Sequence, residues 1–306
     1  MKSALFGGVN TAVLTPMRDD LSPDLDRMAA HCRWLLANGC TGLAVLGTTG
    51  EANSLGLAER IDLMEGLVAR GLPAARMLPG VGTTAIPDTV LLLRKAASLG
   101  CRAVLVLPPF FYKNPTDDGL FAYFSELIDR SGGATKIYLY HFPQQSAVPF
   151  GIALIGRLLR AFPGVIQGIK DSSGDFANTS GYVEHFARDG FEVYCGDDGA
   201  LHQLLKIGGA GSISAASNVS SPFNARVCAN VGAAAGEGAQ ATLSAIRKTV
   251  TSVALIPGLK ALMARHTGEP AWENVRPPFL RLAAEARAKL FAAFDACGVT
   301  LAQAAE

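Results

Sequence analysis

The chain is poor in the features that mark metal, nucleic-acid and membrane proteins. It has five histidines in 306 residues, at positions 31, 141, 185, 202 and 266. A catalytic metal site would gather two or three of them near strand ends, and only His141 is placed so; no metal is expected. Six cysteines are scattered at positions 32, 40, 101, 195, 228 and 297, with no C-x-x-C pair. Zinc sites and disulfide frameworks need closer or more regular spacing, so these read as small core residues in a reducing compartment. Neither sign of charge dominates: 27 Lys and Arg against 26 Asp and Glu leave a net charge of +1. No field favours nucleic acid or an anionic membrane, and the most basic stretch, 276–289, is interleaved with alanine and acid. A run of about 18 apolar residues is missing, so no membrane span is expected. The opening MKSALFGGVN lacks the apolar centre of a signal peptide. A cytoplasmic protein is expected.

What the chain does have is apolar residues (49%) and 33 glycines. Eight short apolar runs recur at 8–14, 42–46, 76–81, 103–107, 137–142, 165–169, 191–195 and 211–214. They are near-continuous rather than alternating, as in parallel strands covered on both faces. Amphipathic helical stretches lie between them, at 24–38, 57–69, 87–98, 116–130, 152–162, 175–188 and 200–207. In the first, Leu25, Met28, Ala29, Cys32, Leu35 and Leu36 form one stripe, and Gly39 stops it. Eight strands with intervening helices predict an α/β fold, a (β/α)8 TIM barrel. A doubly wound dinucleotide-binding sheet would need a glycine fingerprint after its first strand, where Thr15-Pro16-Met17 stands instead. The last third shows no strand signal. Its alanine-rich helical stretches are broken at Pro257-Gly258, 268–270 and Pro277-Pro278. The expected organisation is a barrel over 1–225 and C-terminal helices packed on it over 226–306.

A barrel carries its functional groups at the carboxyl ends of its strands. There the outlier is Lys170. A lysine at the end of a buried strand loses hydration, which favours the neutral amine, the form that attacks a ketone. On position alone, a lysine paired with Asp171 is as good a reading. Thr48 and Thr49, between glycines, offer hydroxyls and close N–H groups that can hold a carboxylate, or form an ordinary capped turn. Tyr140 can pass protons across the barrel mouth from Lys170, or fill the core with a satisfied hydroxyl. Gly208-Gly209-Ala210-Gly211 is a tight turn, or a phosphate loop at the last strand.

Gly47-Thr48-Thr49-Gly50-Glu51, Tyr140 in Tyr-x-x-Pro, and Gly168-Ile169-Lys170-Asp171-Ser172-Ser173-Gly174 together resemble the dihydrodipicolinate synthase / N-acetylneuraminate lyase superfamily. The resemblance runs from about residue 8 to about residue 219, and more loosely to the end. It implies a lyase that forms a Schiff base with pyruvate or another small 2-oxo acid, with no cofactor. Lys170 would be the Schiff-base lysine, with Tyr140 and Thr48 as proton relay. Thr49 would bind the pyruvoyl carboxylate beside Thr48, and Ile213 would line that pocket through its backbone. In Pro109-Phe110-Phe111-Tyr112-Lys113-Asn114-Pro115, Tyr112 matches a loop tyrosine shared across a dimer contact. The resemblance further implies a homo-tetramer, a dimer of dimers.

Two departures bear on the substrate. Dihydrodipicolinate synthases typically carry an arginine where Gln145 stands, and sialic acid lyases carry an acidic pair of which Asp198 keeps the first member and Gly199 replaces the second. A neutral Gln145 forgoes a charge-assisted contact to a second carboxylate. What remains is a 2-keto-3-deoxy acid aldolase or dehydratase, with Asp198, Gln145, His141 and Ser214 holding tail hydroxyls. An aldolase for an aromatic partner is also compatible, given Phe110, Phe111 and Phe142. The alternatives are 4-hydroxy-tetrahydrodipicolinate synthase, a non-catalytic 2-oxo-acid-binding barrel, and a sugar-phosphate barrel using the glycine turn.

Overall fold

The apolar runs form parallel strands, each a few residues long. In a computed structural model, which describes residues 4–301, they are β1 (Gly8–Ala12), β2 (Gly42–Ala44), β3 (Ala103–Val106), β4 (Lys136–His141), β5 (Ile166–Asp171), β6 (Glu192–Cys195) and β7 (Gly211–Ser214). Every pairing is parallel, in the order β2-β1-β7-β6-β5-β4-β3. The expected strand at 76–81 is absent as a continuous element. Residues 77–81 still occupy its place and close the ring through isolated parallel bridges, Met77 to Leu43 and Gly80 to Leu105. Leu78 and Gly80 donate to the carbonyls of Leu43 and Val45, at 2.9 and 2.8 Å. On the other side Leu105 donates to Pro79 O at 2.9 Å. Pro79 has no N–H to return, which interrupts the ladder.

Period-two alternation sends one set of side chains inward. Phe6, Ala44, Leu78, Tyr138, Tyr140, Tyr194 and Ile213 form a buried cluster inside the ring, separate from the larger core between ring and helices. Below the mouth, Tyr138 and Tyr194 both donate to the Glu192 carboxylate at 2.6 Å, and Leu5 N donates to it at 2.7 Å. This ties the segment leading into β1 to the barrel floor. Tyr138 has room because residue 168 is glycine: a Cβ there would lie 2.1 Å from Glu192 O and 2.8 Å from the Tyr138 ring.

The helices follow the amphipathic stretches. They are α1 (Leu25–Ala37), α2 (Leu57–Ala69), α3 (Ile86–Ser98), α4 (Asp117–Ser131), the single turn α5 (Pro143–Ser146), α6 (Ile152–Ala161), α7 (Phe176–Phe186), α8 (Leu201–Lys206) and α9 (Ser217–Ala229). Residue 225 falls inside α9. Then come α10 (Ala234–Val250), α11 (Leu255–Thr267) and α12 (Ala284–Ala296), with the 3-10 turn Pro270–Glu273 between the last two. The break expected at Pro257-Gly258 does not occur, and both residues lie in the first turn of α11. There a proline costs nothing, because first-turn N–H groups have no helical acceptor. Gly268 ends that helix at φ 73. Among the described residues no helix is long and apolar enough to cross a membrane.

Candidate active site

β4 and β5 are register neighbours, and Tyr140 stands opposite Lys170. The two are therefore side by side on adjacent strands, not facing each other across the mouth. Both point inward, and they are 4% and 5% exposed. The Lys170 Nζ lies 4.0 Å from the centroid of the Tyr140 ring. The next residue along β5, Asp171, points the other way by alternation. Its carboxylate accepts from Ser173 N at 2.8 Å, Asn178 Nδ2 at 2.9 Å and Thr179 Oγ1 at 2.7 Å, which knits the β5–α7 connection together. A Lys170–Asp171 ion pair is thus geometrically excluded, and no other carboxylate lies within ion-pair distance of the amine among the described residues.

The Tyr140 hydroxyl is 3.5 Å from Thr48 Oγ1, on the turn after β2. Burial raises the Tyr140 pKa, but the Lys170 charge, with hydrogen bonds from Thr48, Lys170 and Ser172, outweighs it and holds the phenol below the ordinary tyrosine value. Thr49 is buried next to Thr48, and Ile213 is fully buried in the inner cluster. Ser172 was missed from sequence. It follows Lys170 by two, so alternation puts it on the same face, and a Cβ on Gly196 would sit 2.0 Å from its Oγ. The glycine leaves that hydroxyl its place. Phe142 stacks on Tyr140, with ring centroids 5.8 Å apart.

A small cavity behind the turn is lined by Leu46, Gly47, Thr48, Asn53, Arg60, Leu105 and Tyr140, among others. Arg60 also went unnoticed in sequence, where it reads as one more polar position on amphipathic α2. It is 5% exposed, its Nε has no partner, and burial pushes its pKa down to about 10.

Other sequence candidates stand elsewhere. His141 points outside the barrel wall, where its Nδ1 accepts from Phe150 N at 3.0 Å and its ring meets Tyr182 edge to face. Ser214 is two residues from Ser212 and on the face opposite Ile213; both serines are fully buried. Asp198 is fully buried too, beside Ser214 and Asn224, and burial raises its pKa. Gln145 is exposed on α5, and its neighbour Gln144 donates to Ser173 O at 2.5 Å. Tyr112 is 75% exposed and packs edge to face on Phe111, itself 70% exposed, in the loop after β3. Within one chain that pair does not reach the Thr48–Tyr140 contact.

Known proteins resemble this chain over nearly its whole length. The model of the dihydrodipicolinate synthetase family matches residues 5–297. An uncharacterized DapA-like lyase of Chloroflexus aurantiacus is 35% identical over 292 residues, 94% of this chain and 96% of its own. Among solved structures, dihydrodipicolinate synthase from Agrobacterium tumefaciens superposes with a TM-score of 0.85 at 32% identity, covering 95% of this chain and 99% of the other. YagE, a prophage protein of the same family from E. coli K12 crystallised in complex with pyruvate, gives 0.89 at 27% identity, covering 97% and 100%. With a family match over nearly the whole chain and close superposition on its members, the protein belongs to the dihydrodipicolinate synthetase family and is a lyase.

Proposed function

We propose that this lyase forms a Schiff base between Lys170 and pyruvate or a 2-keto-3-deoxy acid, and makes or breaks the C3–C4 bond of that acid or eliminates water across it. One observation carries the reading: an amine buried inside the barrel, against a tyrosine ring and with no carboxylate in ion-pair range among the described residues. Burying a lysine without an ionic partner is costly, and a role as nucleophile accounts for its place. YagE, with its pyruvate, adds a relative that holds such an acid.

In the proposed sequence the neutral Lys170 amine adds to the C2 ketone. Tyr140 protonates the departing hydroxyl, water leaves, and a protonated imine remains. The Tyr140 phenolate takes the proton of the C4 hydroxyl, the C3–C4 bond breaks, its electron pair passes into the imine to give an enamine, and the C4 fragment leaves as an aldehyde. Protonation at C3 and hydrolysis release pyruvate and the amine. Thr48 returns protons to Tyr140. Thr48 and Thr49 hold the carboxylate through hydroxyls and turn N–H groups.

His141 faces Phe150 and Tyr182 on the helix side of the wall, and Asp198 lies beside Ser214 and Asn224, so this reading gives none of the three a tail contact. Gln145 and Phe142, at the rim, are left to meet the part of the substrate beyond C4. Both are uncharged, which favours an electrophile with no carboxylate at that end over the second substrate of 4-hydroxy-tetrahydrodipicolinate synthase. The exposed Phe111 and Tyr112 would be covered by a second copy in a tetramer of paired dimers, working in the cytoplasm.

Borohydride reduction in the presence of pyruvate, followed by mass mapping, tests the reading. A reduced pyruvyl adduct on Lys170 supports it. An unmodified Lys170 after saturating pyruvate refutes it.

A further inference from the structure

We infer that Glu51 and Lys260 are positioning residues, a buried ion pair through which the C-terminal helices hold the Thr48–Thr49 turn in its substrate-binding shape. The inference rests on the reading of the site given above, in which that turn receives the carboxylate of the 2-oxo acid.

The turn is an irregular piece of backbone. It is flanked by two non-glycine residues in the left-handed region, Leu46 at φ 58 and Glu51 at φ 55. L residues adopt that region only when their surroundings hold them there. Its own hydrogen bonds are few: Gly50 N and Ala52 N to Gly47 O at 3.1 and 3.2 Å, and Glu51 N to Thr48 O at 3.0 Å. From the barrel side, Thr15 Oγ1 donates to Gly50 O at 2.8 Å.

Beyond the long Thr48–Tyr140 contact, the turn is tied to distant chain through the Glu51 side chain. One carboxylate oxygen accepts from Lys260 Nζ, and the other from Arg276 N at 3.0 Å. Both side chains of the ion pair are fully buried. Lys260, on α11, spends a second donor on Asn274 O at 2.7 Å. Arg276 then clamps the stretch after the turn, donating to Ser54 O at 2.6 Å and to Glu59 at 2.8 Å. More than two hundred residues of chain separate Glu51 from Lys260, so the contact is a choice of the fold and not of local sequence.

A buried ion pair is a poor source of stability, since apolar residues of the same volume usually do as well, but it imposes one geometry on the groups that make it. That is what a carboxylate-binding turn needs. An apolar pair would fill the space and let the turn shift, and displacement of about 1 Å at a binding group is enough to lose affinity.

The test uses the full chain with both charges removed, Glu51→Gln together with Lys260→Met, so that neither is left buried alone. The readout is the pyruvate dependence of borohydride trapping on Lys170. The expected result is a half-saturating pyruvate concentration raised about tenfold or more, a trapping rate at saturation within about threefold of the parent, and an unfolding transition like the parent's. A merely structural pair would lower the melting temperature and leave half-saturation alone; a folded double variant within about twofold of the parent overturns the inference. Deuterium exchange on the unaltered protein supplies a second measurement that needs no variant. Saturating pyruvate is expected to slow exchange at Arg276, whose N–H the latch occupies, and unchanged exchange there overturns the inference as well. A parent protein that forms no adduct overturns the reading of the site and the latch together. An adduct in the parent with unchanged half-saturation in the variant overturns the latch alone.

Discussion

Replacing Tyr140 by Phe separates the proposed proton relay from the packing that surrounds it. The phenyl ring keeps the place of the phenol, so its stacking on Phe142 and the 4.0 Å approach of the Lys170 amine are retained. What is lost is one hydroxyl, which stands a long 3.5 Å from Thr48 Oγ1 and also meets Lys170 and Ser172. A hydrogen bond of that length contributes little to folding, about 0.5 kcal/mol or less. A positioned acid or base is worth roughly 10²- to 10⁴-fold in rate, or about 3 to 5 kcal/mol of barrier. The substitution should therefore slow Schiff-base formation by two orders of magnitude or more, by roughly 10²-fold at least, while moving the melting temperature hardly at all. The pH dependence sharpens the test. A positive charge at Lys170, carried by the protonated imine once the adduct has formed, and hydrogen bonds from Thr48, Lys170 and Ser172 overcome burial and hold Tyr140 below the ordinary tyrosine value. As pH rises through that depressed value the phenol loses the proton it must donate. The parent should lose trapping rate on the alkaline side earlier than an ordinary tyrosine would dictate, and the Phe variant should lack that limb. Stopped borohydride trapping with pyruvate, quantified by intact mass across pH, reads both effects. A Phe variant trapping within about threefold of the parent at every pH would refute the relay.

Other perturbations address the rest of the molecule. Lys170→Ala should abolish turnover and adduct formation yet leave a folded barrel, since it removes a buried amine with no ionic partner; circular dichroism showing an unfolded chain would make the lysine structural. Gly168→Ala would place a Cβ 2.1 Å from Glu192 O, a backbone atom that cannot step aside. It should cost about 3 kcal/mol or more, seen as lost soluble yield or a lower melting temperature. His31 is buried between Trp34 and Trp272 and hydrogen-bonded to Asn218 at 2.9 Å; burial pushes its pKa down to about 4 from 6.5. The unfolded chain binds a proton there below pH 6.5 while the folded one resists until about 4. This contribution is whole above 6.5 and lost as pH falls toward 4, about 3 kcal/mol in all. Urea midpoints for the parent and for His31→Gln should converge in acid, and parallel pH profiles would count against it.

Much of this was readable in the sequence because period and position carry the information. Near-continuous apolar runs marked the staves, and the helix 57–69 was expected with the bounds that α2 shows. Lys170 and Tyr140 stood out because a charged and a phenolic group closed apolar strands. The misreadings came from treating strand ends as undivided. His141 and Asp171 each follow an inward residue by one, so alternation turns them to the helix layer. The same rule, applied one step further, would have singled out Ser172 and moved Ser214 off the mouth. Pro79 was legible as a ladder breaker, and Pro257 as a residue tolerated in a first helical turn. Neither reading followed from seeing only that proline stops regular structure.

What could not be read is what depends on distant chain. Nothing local tells that Glu51, at the end of a glycine-flanked turn, meets a lysine on α11 and the backbone of Arg276. Nor does an arginine on an amphipathic helix announce that it will lie buried behind Thr48 with an unpartnered Nε. The barrel strands set Lys170 and Tyr140 side by side, while the turn that carries Thr48 and Thr49 is tied through Glu51 to residues beyond the last strand. The boundary expected at 225 falls inside α9. A barrel cut there would keep Lys170, Tyr140 and Thr48 in sequence while losing the buried cation opposite Glu51. That carboxylate would then sit in an apolar setting with its partner gone, and removing one member of such a pair costs about 3 to 5 kcal/mol. The turn would yield before the barrel did, because its left-handed residues have the least else to hold them.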